Sequence, residues 1–397
     1  MDVYYKCAFW FCKKITGEKI MGIFTVQKAL LKVLGYYWFS GGWKLPLPNI
    51  IKAWFYPVLY PSVEFIVSYL TIKAVTSMIA SNDYEFTRKI NGYIVSMTFI
   101  ACALKSIYFR IIDKDVQKLI EMIEKIADVD IENGPIANAH RACTSYATLL
   151  LINAGSWALY YLITHFDFPF PTAYPWNQET TLGWWTAFFI TFNCAFYCAL
   201  IHTLVDTVFP MCVAVITYHI NQIKTSLRKL GTEGKWSDQY LIIQAIQLHV
   251  KILRVNKQIK KCFGLLFVAQ SVYTVLHACS LIFAVMQADE TVAPLMSALP
   301  MLSAAYAQLF MYCYYGQTLT NHHESLSFAL YNNCWYCCNT RLRKLIIIFG
   351  EGLKKDIYLE GFGTVQASFP TYLKVRLYSL LILFTKIPVH FTHLNTN

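Results

Sequence analysis

The sequence predicts an all-α membrane protein: seven transmembrane helices, a cytosolic N-terminus, an extracellular C-terminus and an intracellular helical anchor region. Three observations predict it. Of the 397 residues, 56% are hydrophobic and only 14% are charged, where an average soluble domain has about 25% charged residues. The apolar residues collect into runs long enough to cross a bilayer. Lys and Arg are shared unequally between alternate connections, 27 in one set and 3 in the other.

Residues 1–52 are basic and aromatic, with Trp38, Trp43 and a Pro46-Leu47-Pro48 break, and suit an amphipathic cytosolic or interfacial segment. Met1 to Phe55 carries eight Lys/Arg and no apolar run ending at a small-residue cleavage site, so no signal peptide is expected. The first span is Ala53 to Ile72, crossed by Pro57, Pro61 and Glu64, and the second is Tyr93 to Phe109, interrupted by Lys105. The third, Ala142 to Phe166, has no charge. Thr180 to Ile223 contains one charge, Asp206, and is too long for a bilayer, so the fourth helix is expected to run on beyond it. The fifth span is Cys262 to Ala288 and the sixth lies within Thr291 to His323.

Ahead of the fifth span, Ser237 can cap a helix whose apolar residues Ile242, Ile246, Leu248, Ile252, Ile259 and Phe263 recur near helical spacing. Ser325 to Gly350 is broken by Arg341, Arg343 and Lys344 and does not span. Its Leu326, Leu330, Trp335, Leu342 and Leu345 suit a cytoplasmic anchor helix packed on other subunits. The chain thus divides into residues 1–52, transmembrane helices 1–6 over 53–323, an anchor helix and linker over 324–360, and a seventh helix with an external tail over 361–397. Residues 1–52, 110–141, 224–261 and 341–355 hold the 27 basic residues, which the positive-inside rule places in the cytosol.

The last span, Phe369 to Ile387 before Pro388, carries Lys374 and Arg376 in its inner half, while Leu377 to Thr385 is free of charge. At about 1.5 Å per residue it is roughly 28 Å long, just enough to cross. Two cations near its entry suit a shielded helix, or one with a face on water. It is a candidate pore helix, or simply a last span. On its outer half Leu380, Leu383, Phe384 and Ile387 recur at helical spacing, and an apolar ring of this kind closes a pore by dewetting.

A net charge of +11 would suit nucleic acid, but the basic residues sit in short blocks beside apolar spans, which is a juxtamembrane pattern. Most of the 13 cysteines fall inside apolar spans and behave as small hydrophobes. Cys334-Trp335-Tyr336-Cys337-Cys338, with His322 and His323 upstream, lacks a second ligand pair, so no metal and no cofactor are expected. No phosphate-cradling glycine loop, G-x-S-x-G or H-E-x-x-H motif is present, so no enzyme is expected. His202 and Asp206 stand i, i+4 on one helical face. A buried acid is a functional candidate, but mutual satisfaction in an ion pair or hydrogen bond is the favoured reading.

Several stretches in order resemble one family. They are Phe168-Pro169-Phe170 and Tyr174-Pro175-Trp176; Leu248-His249, Ile252-Leu253, Phe263 and Gln270-Ser271; and Tyr314-Tyr315-Gly316-Gln317 with Leu319-Thr320, Glu324-Ser325, Ala329-Leu330-Tyr331 and Trp335. Gly361 to Gly363, Thr371-Tyr372 and Tyr378-Ser379 close the series. In order and spacing these resemble the insect odorant receptors, well over the last 250 residues or so and by hydropathy alone before that. The interval from Tyr372 to Tyr378-Ser379 is shorter than the family's, which leaves the register of the final helix open.

The resemblance implies an odorant-specific (tuning) subunit, not the co-receptor. Such a subunit joins an obligate co-receptor in a heterotetrameric, odorant-gated, non-selective cation channel. It implies a plasma-membrane location in olfactory sensory neurons, contact with lipid, and no nucleic-acid partner. It also implies a pocket in the outer half for a small, nearly apolar volatile, which suits a closed aromatic cavity with few polar groups. The residues at that depth are Tyr93 and Met97; Trp157, Tyr160 and Tyr161; Phe188, Phe192 and Phe196; Met296, Ser303 and Tyr306. For each one alone, core packing or lipid contact is an equal alternative. A gustatory receptor is the alternative within the superfamily, but Ser379 and Leu380 stand where its closing Gln-Phe would fall. A G-protein-coupled receptor would need the opposite loop charge bias. A transporter would more often show internal repeats.

Overall fold

The computed structural model describes residues 60–80, 86–126, 134–163, 174–177, 180–231, 235–286 and 293–391 (362 and 364 excepted), with 23–24, 27–28, 30–31 and 34. The expected first-span residues 53–59, the external tail past 391 and most of residues 1–52 lie outside the described residues.

Helix α1 is Tyr60–Ala80. Pro61 sits near its start, where a missing N–H costs nothing. Helix α2 is Phe86–Ile111. The short α3, Asp113–Glu124, buries Val116, Leu119, Ile120 and Ile123, with Asp113 and Asp115 in its first turn where the helix dipole favours acids. Lys261 Nζ donates to Asp115 Oδ1 at 2.8 Å, which holds that carboxyl below its ordinary range.

Helix α4 is Pro135–Ile163. Helix α5, Thr181–Arg228, is 48 residues long, and Thr180 caps it by accepting a hydrogen bond from Gly183 N at 3.1 Å. The turn that follows it closes at Gly231, whose φ of +81 is left-handed and inexpensive only for glycine. A Cβ there would also lie 2.5 Å from the Cys334 carbonyl oxygen.

Helix α6, Lys235–Met286, is 52 residues long, so Ser237 lies inside it rather than capping it. In a membrane of about 30 Å, rods of roughly 72 and 78 Å project far beyond the bilayer, as the length of the nearly uncharged fourth stretch suggests. Helix α7, Ala293–Tyr331, absorbs residues 325–331, which sequence periodicity assigns to a separate anchor helix. A 3-10 turn at Trp335–Cys337 follows. Helix α8, Thr340–Leu353, is capped by Asn339, whose Oδ1 accepts from Leu342 N at 2.8 Å. A two-residue hairpin, β1 Glu360–Gly361 and β2 Val365–Gln366, then leads into α9, Phe369–Phe391. Helix α9 passes through Pro388 rather than stopping before it, since only one donor is lost a few residues from the end of the ladder.

Among the described residues, α1, α2, α4, α5, α6, α7 and α9 are the seven helices of 21 residues or more. The bundle is built around α5, where every residue from Ile201 to Thr217 is buried. A helix apolar on all sides belongs in a core, and α5 packs against α1, α2, α3, α4, α6 and α7. The described residues near the N-terminus join this core: Phe24 and Leu31 are fully buried, and Gln27 Nε2 donates to Thr207 Oγ1 at 3.3 Å. Leu326, Leu330 and Leu342 are buried where α7 and α8 meet, with Trp335 and Leu345 packed against them.

Candidate functional site

Five helices, α2, α4, α5, α6 and α7, surround one cavity. Its walls are mostly apolar: Val95 and Phe99; Leu150 and Ala154; Phe188, Phe192, Ala195 and Ala199; Met301, Ala304 and Ala305. About 110 Å³ is open to the centres of water-sized molecules, where one water needs roughly 10–15 Å³ by the same measure. The space therefore suits a small organic molecule. Trp184, Phe188 and Phe192 recur four apart on α5 and stack in a row, with centroids 5.6 and 6.1 Å apart. The segment before α5 folds onto the same wall. Tyr174 stacks on Trp176 at 4.8 Å, and its hydroxyl lies 2.6 Å from Thr191 Oγ1, a cavity residue.

A polar cluster lies at the His202 side of the cavity. Lys105 Nζ lies 3.0 and 3.1 Å from the two Asp206 carboxylate oxygens and 3.1 Å from His202 Nδ1. Tyr146 donates to Asp206 Oδ2 at 2.9 Å and Tyr312 to Oδ1 at 3.1 Å. Asp206, fully buried, thus accepts four hydrogen bonds, which fills a carboxylate. Gln308 Nε2 reaches His202 Nδ1 at 3.1 Å, and Gln270 Nε2 donates to Gln308 Oε1 at 2.7 Å. Buried charges persist only when paired and hydrogen-bonded, and this cluster meets the condition. The His202 and Asp206 pair is therefore satisfied within the protein, with Lys105 as the partner that their i, i+4 spacing alone does not reveal.

Among the described residues, Cys102, Cys198 and His202 could hold a metal ion, their ligand atoms lying within 4.8 Å of one another. The Lys105 ammonium beside the His202 ring opposes a second cation there.

The structure places the sequence-selected pocket residues differently from one another. Phe188 and Phe192 line the cavity. Tyr93, Phe196 and Ser303 are exposed on the bundle surface, and Met97 and Tyr306 are half-buried away from the cavity lining. The side chains of Trp157, Tyr160, Tyr161 and Met296, and those of Leu380, Leu383, Phe384 and Ile387, lie outside the described residues. Sequence reasoning misses Thr98, Asn153, Tyr273, His277 and Gln308, all on the lining. Asn153, His277 and Gln308 carry the usable signal, each being a strongly polar residue inside an expected span.

Residues 85–376 match the family model described as 7tm Odorant receptor. Odorant receptor 92a of Drosophila melanogaster is 20% identical over 285 residues, covering 66% of this chain and 69% of that one. Odorant receptor 85b of the same species is 21% identical over 196 residues, spanning 48% of this chain and about half, 49%, of its own length. Among solved structures, the insect olfactory receptor OR5 from Machilis hrabei superposes with a TM-score of 0.75 at 12% identity, covering 91% of this chain and 97% of that one. The same receptor in complex with eugenol gives a TM-score of 0.73.

Proposed function

Because the chain belongs to the 7tm Odorant receptor family, matched over residues 85–376, we propose that it is the ligand-binding subunit of an odorant-gated, non-selective cation channel. It is an all-α membrane receptor and not an enzyme. Its ligand is a small, mostly apolar volatile held in the cavity between α2, α4, α5, α6 and α7. The observation that carries this reading is the cavity: apolar and aromatic on most sides, large enough for a small organic molecule, and bordered at His202 by the Lys105–Asp206 ion pair, whose charges are paired within the protein. The complex of the Machilis hrabei receptor with eugenol, a small aromatic molecule, supports the same ligand class.

In this reading the N-terminus is cytosolic, the C-terminus is extracellular and α9 lines the pore. A co-receptor completes a heterotetramer at the plasma membrane of olfactory sensory neurons. The charge on α9 favours a mixed assembly. Lys374 and Arg376 are exposed on that helix. Four copies would put up to eight cations around a cation path, each close pair repelling by about 1 kcal/mol at 4 Å even in bulk water. Co-receptor subunits dilute that field.

The test is current recorded from cells expressing the chain with and without a co-receptor, against an odorant panel. Odorant-evoked cation current is expected only with the co-receptor. Robust current from the chain alone would overturn the mixed assembly, and no response to any volatile in either case would overturn the ligand class.

A further inference from the structure

The polar groups on the cavity divide into two kinds. The Asp206 carboxylate has its four hydrogen bonds from Lys105, Tyr146 and Tyr312 and makes no demand on a ligand. Two other groups do. His277 on α6 is 1% exposed and lines the cavity, and its Nδ1 has no hydrogen-bond partner. Asn153 on α4 lines another wall, and its Oδ1 is buried and likewise unpartnered. Buried polar atoms in native proteins are almost always paired, so two orphans on one cavity point to a group supplied from outside.

The chemistry of the orphans narrows that group. Asn153 Oδ1 only accepts, so it requires a donor. A neutral imidazole nitrogen accepts or donates according to its tautomer. A single hydroxyl serves both when His277 Nδ1 carries the proton: it accepts from the imidazole N–H and gives its one hydrogen to Asn153 Oδ1. A carbonyl or an ether only accepts, which leaves Asn153 unpaired. The His277 ring is also held in place, stacked on Tyr273 at 5.0 Å and 27°, while the Tyr273 hydroxyl lies 3.3 Å from Thr98 Oγ1.

We propose that the cavity selects small apolar molecules bearing a hydroxyl group, the hydroxyl being held at His277 and Asn153. This rests on the ligand-pocket reading above and adds the chemical class to it. The probes are primary alcohols of graded size, each tested beside its methyl ether and its parent hydrocarbon. Binding is measured on the purified full-length chain in lipid nanodiscs, for wild type, His277→Phe and Asn153→Leu.

Within a trio the alcohol is expected to bind wild type about tenfold more tightly than the ether, or about 1.4 kcal/mol. Each variant should shrink that gap severalfold, and hydrocarbon binding retained or tightened by the new apolar side chain reports that the variant is folded. Two variants on different helices guard against one failing to fold. An alcohol that binds no better than its ether, or an advantage intact in both variants, would overturn the hydroxyl assignment while leaving the pocket standing. Failure of every trio member to bind would overturn both.

Discussion

At the scale of single residues, the largest commitment in the bundle is Asp206, a fully buried carboxylate with one buried cation as partner. Breaking such a pair costs about 3–5 kcal/mol, whereas replacing both charges can be close to neutral. Lys105→Met is therefore expected to lower the melting temperature of the purified receptor and deplete it from the cell surface. Adding Asp206→Asn should recover much of the loss, since one of Tyr146 and Tyr312 can still donate to the amide oxygen while the other hydroxyl accepts from the amide NH2. A single variant that melts with the wild type would mean the ammonium is dispensable. On the cavity wall, Phe188→Ala removes part of the stacked row. At about 25 cal/mol per Å² the lost contact amounts to roughly 1–2 kcal/mol, so the half-maximal odorant concentration should rise about tenfold at unchanged surface level. An unmoved dose-response curve would take the ligand away from that wall.

Among the elements, the hairpin ahead of α9 is seated on the long helices by close backbone approach. A Cβ on Gly316 in α7 would meet the Ala367 carbonyl oxygen at 2.5 Å, and one on Gly264 in α6 would meet the Glu360 carbonyl oxygen at 2.7 Å. Lys260 Nζ and Glu360 Oε1 add an ion pair at 2.9 Å. Gly316→Val should push the hairpin off and destabilise the receptor, because the clash is with backbone. Gly352→Ala, which meets nothing within 4 Å in α8, should be neutral or slightly stabilising. Differential scanning fluorimetry on both variants checks this, and equal melting curves would sink it.

The helices themselves are mostly legible in the sequence, because membrane length and charge exclusion are properties of a continuous run. Contacts between runs are not. Lys105 and Asp206 are 101 residues apart, and nothing in either neighbourhood records their meeting. Asn153 and His277 each read as a stray polar residue until the absence of a partner is visible in three dimensions. Aromatic side chains such as Tyr93 and Phe196 carry no mark of which face of their helix meets the cavity.

For the whole molecule, the proposed orientation rests on the 27-to-3 division of basic residues and the positive-inside rule. A tag on Asn397 is expected to be reached by antibody on intact cells, and staining that requires permeabilisation would invert the topology. If the apolar residues of α9 close the path, Leu383→Ala or Ile387→Ala should raise leak current without odorant in the assembled channel. Unchanged leak in both would reassign the register of that helix.

The length of α6 has a mechanical consequence. His277 at the cavity and Lys235 at the far end stand on one continuous helix, about 63 Å apart at 1.5 Å per residue. Rods this long act as levers: tilting α6 by about 5° about the cavity would sweep its far end through about 5 Å, roughly one helical turn. A molecule no larger than a few carbon atoms, seated in the cavity, thus has a lever on structure about 60 Å away, and under the channel proposal it would have no need to sit near the ions.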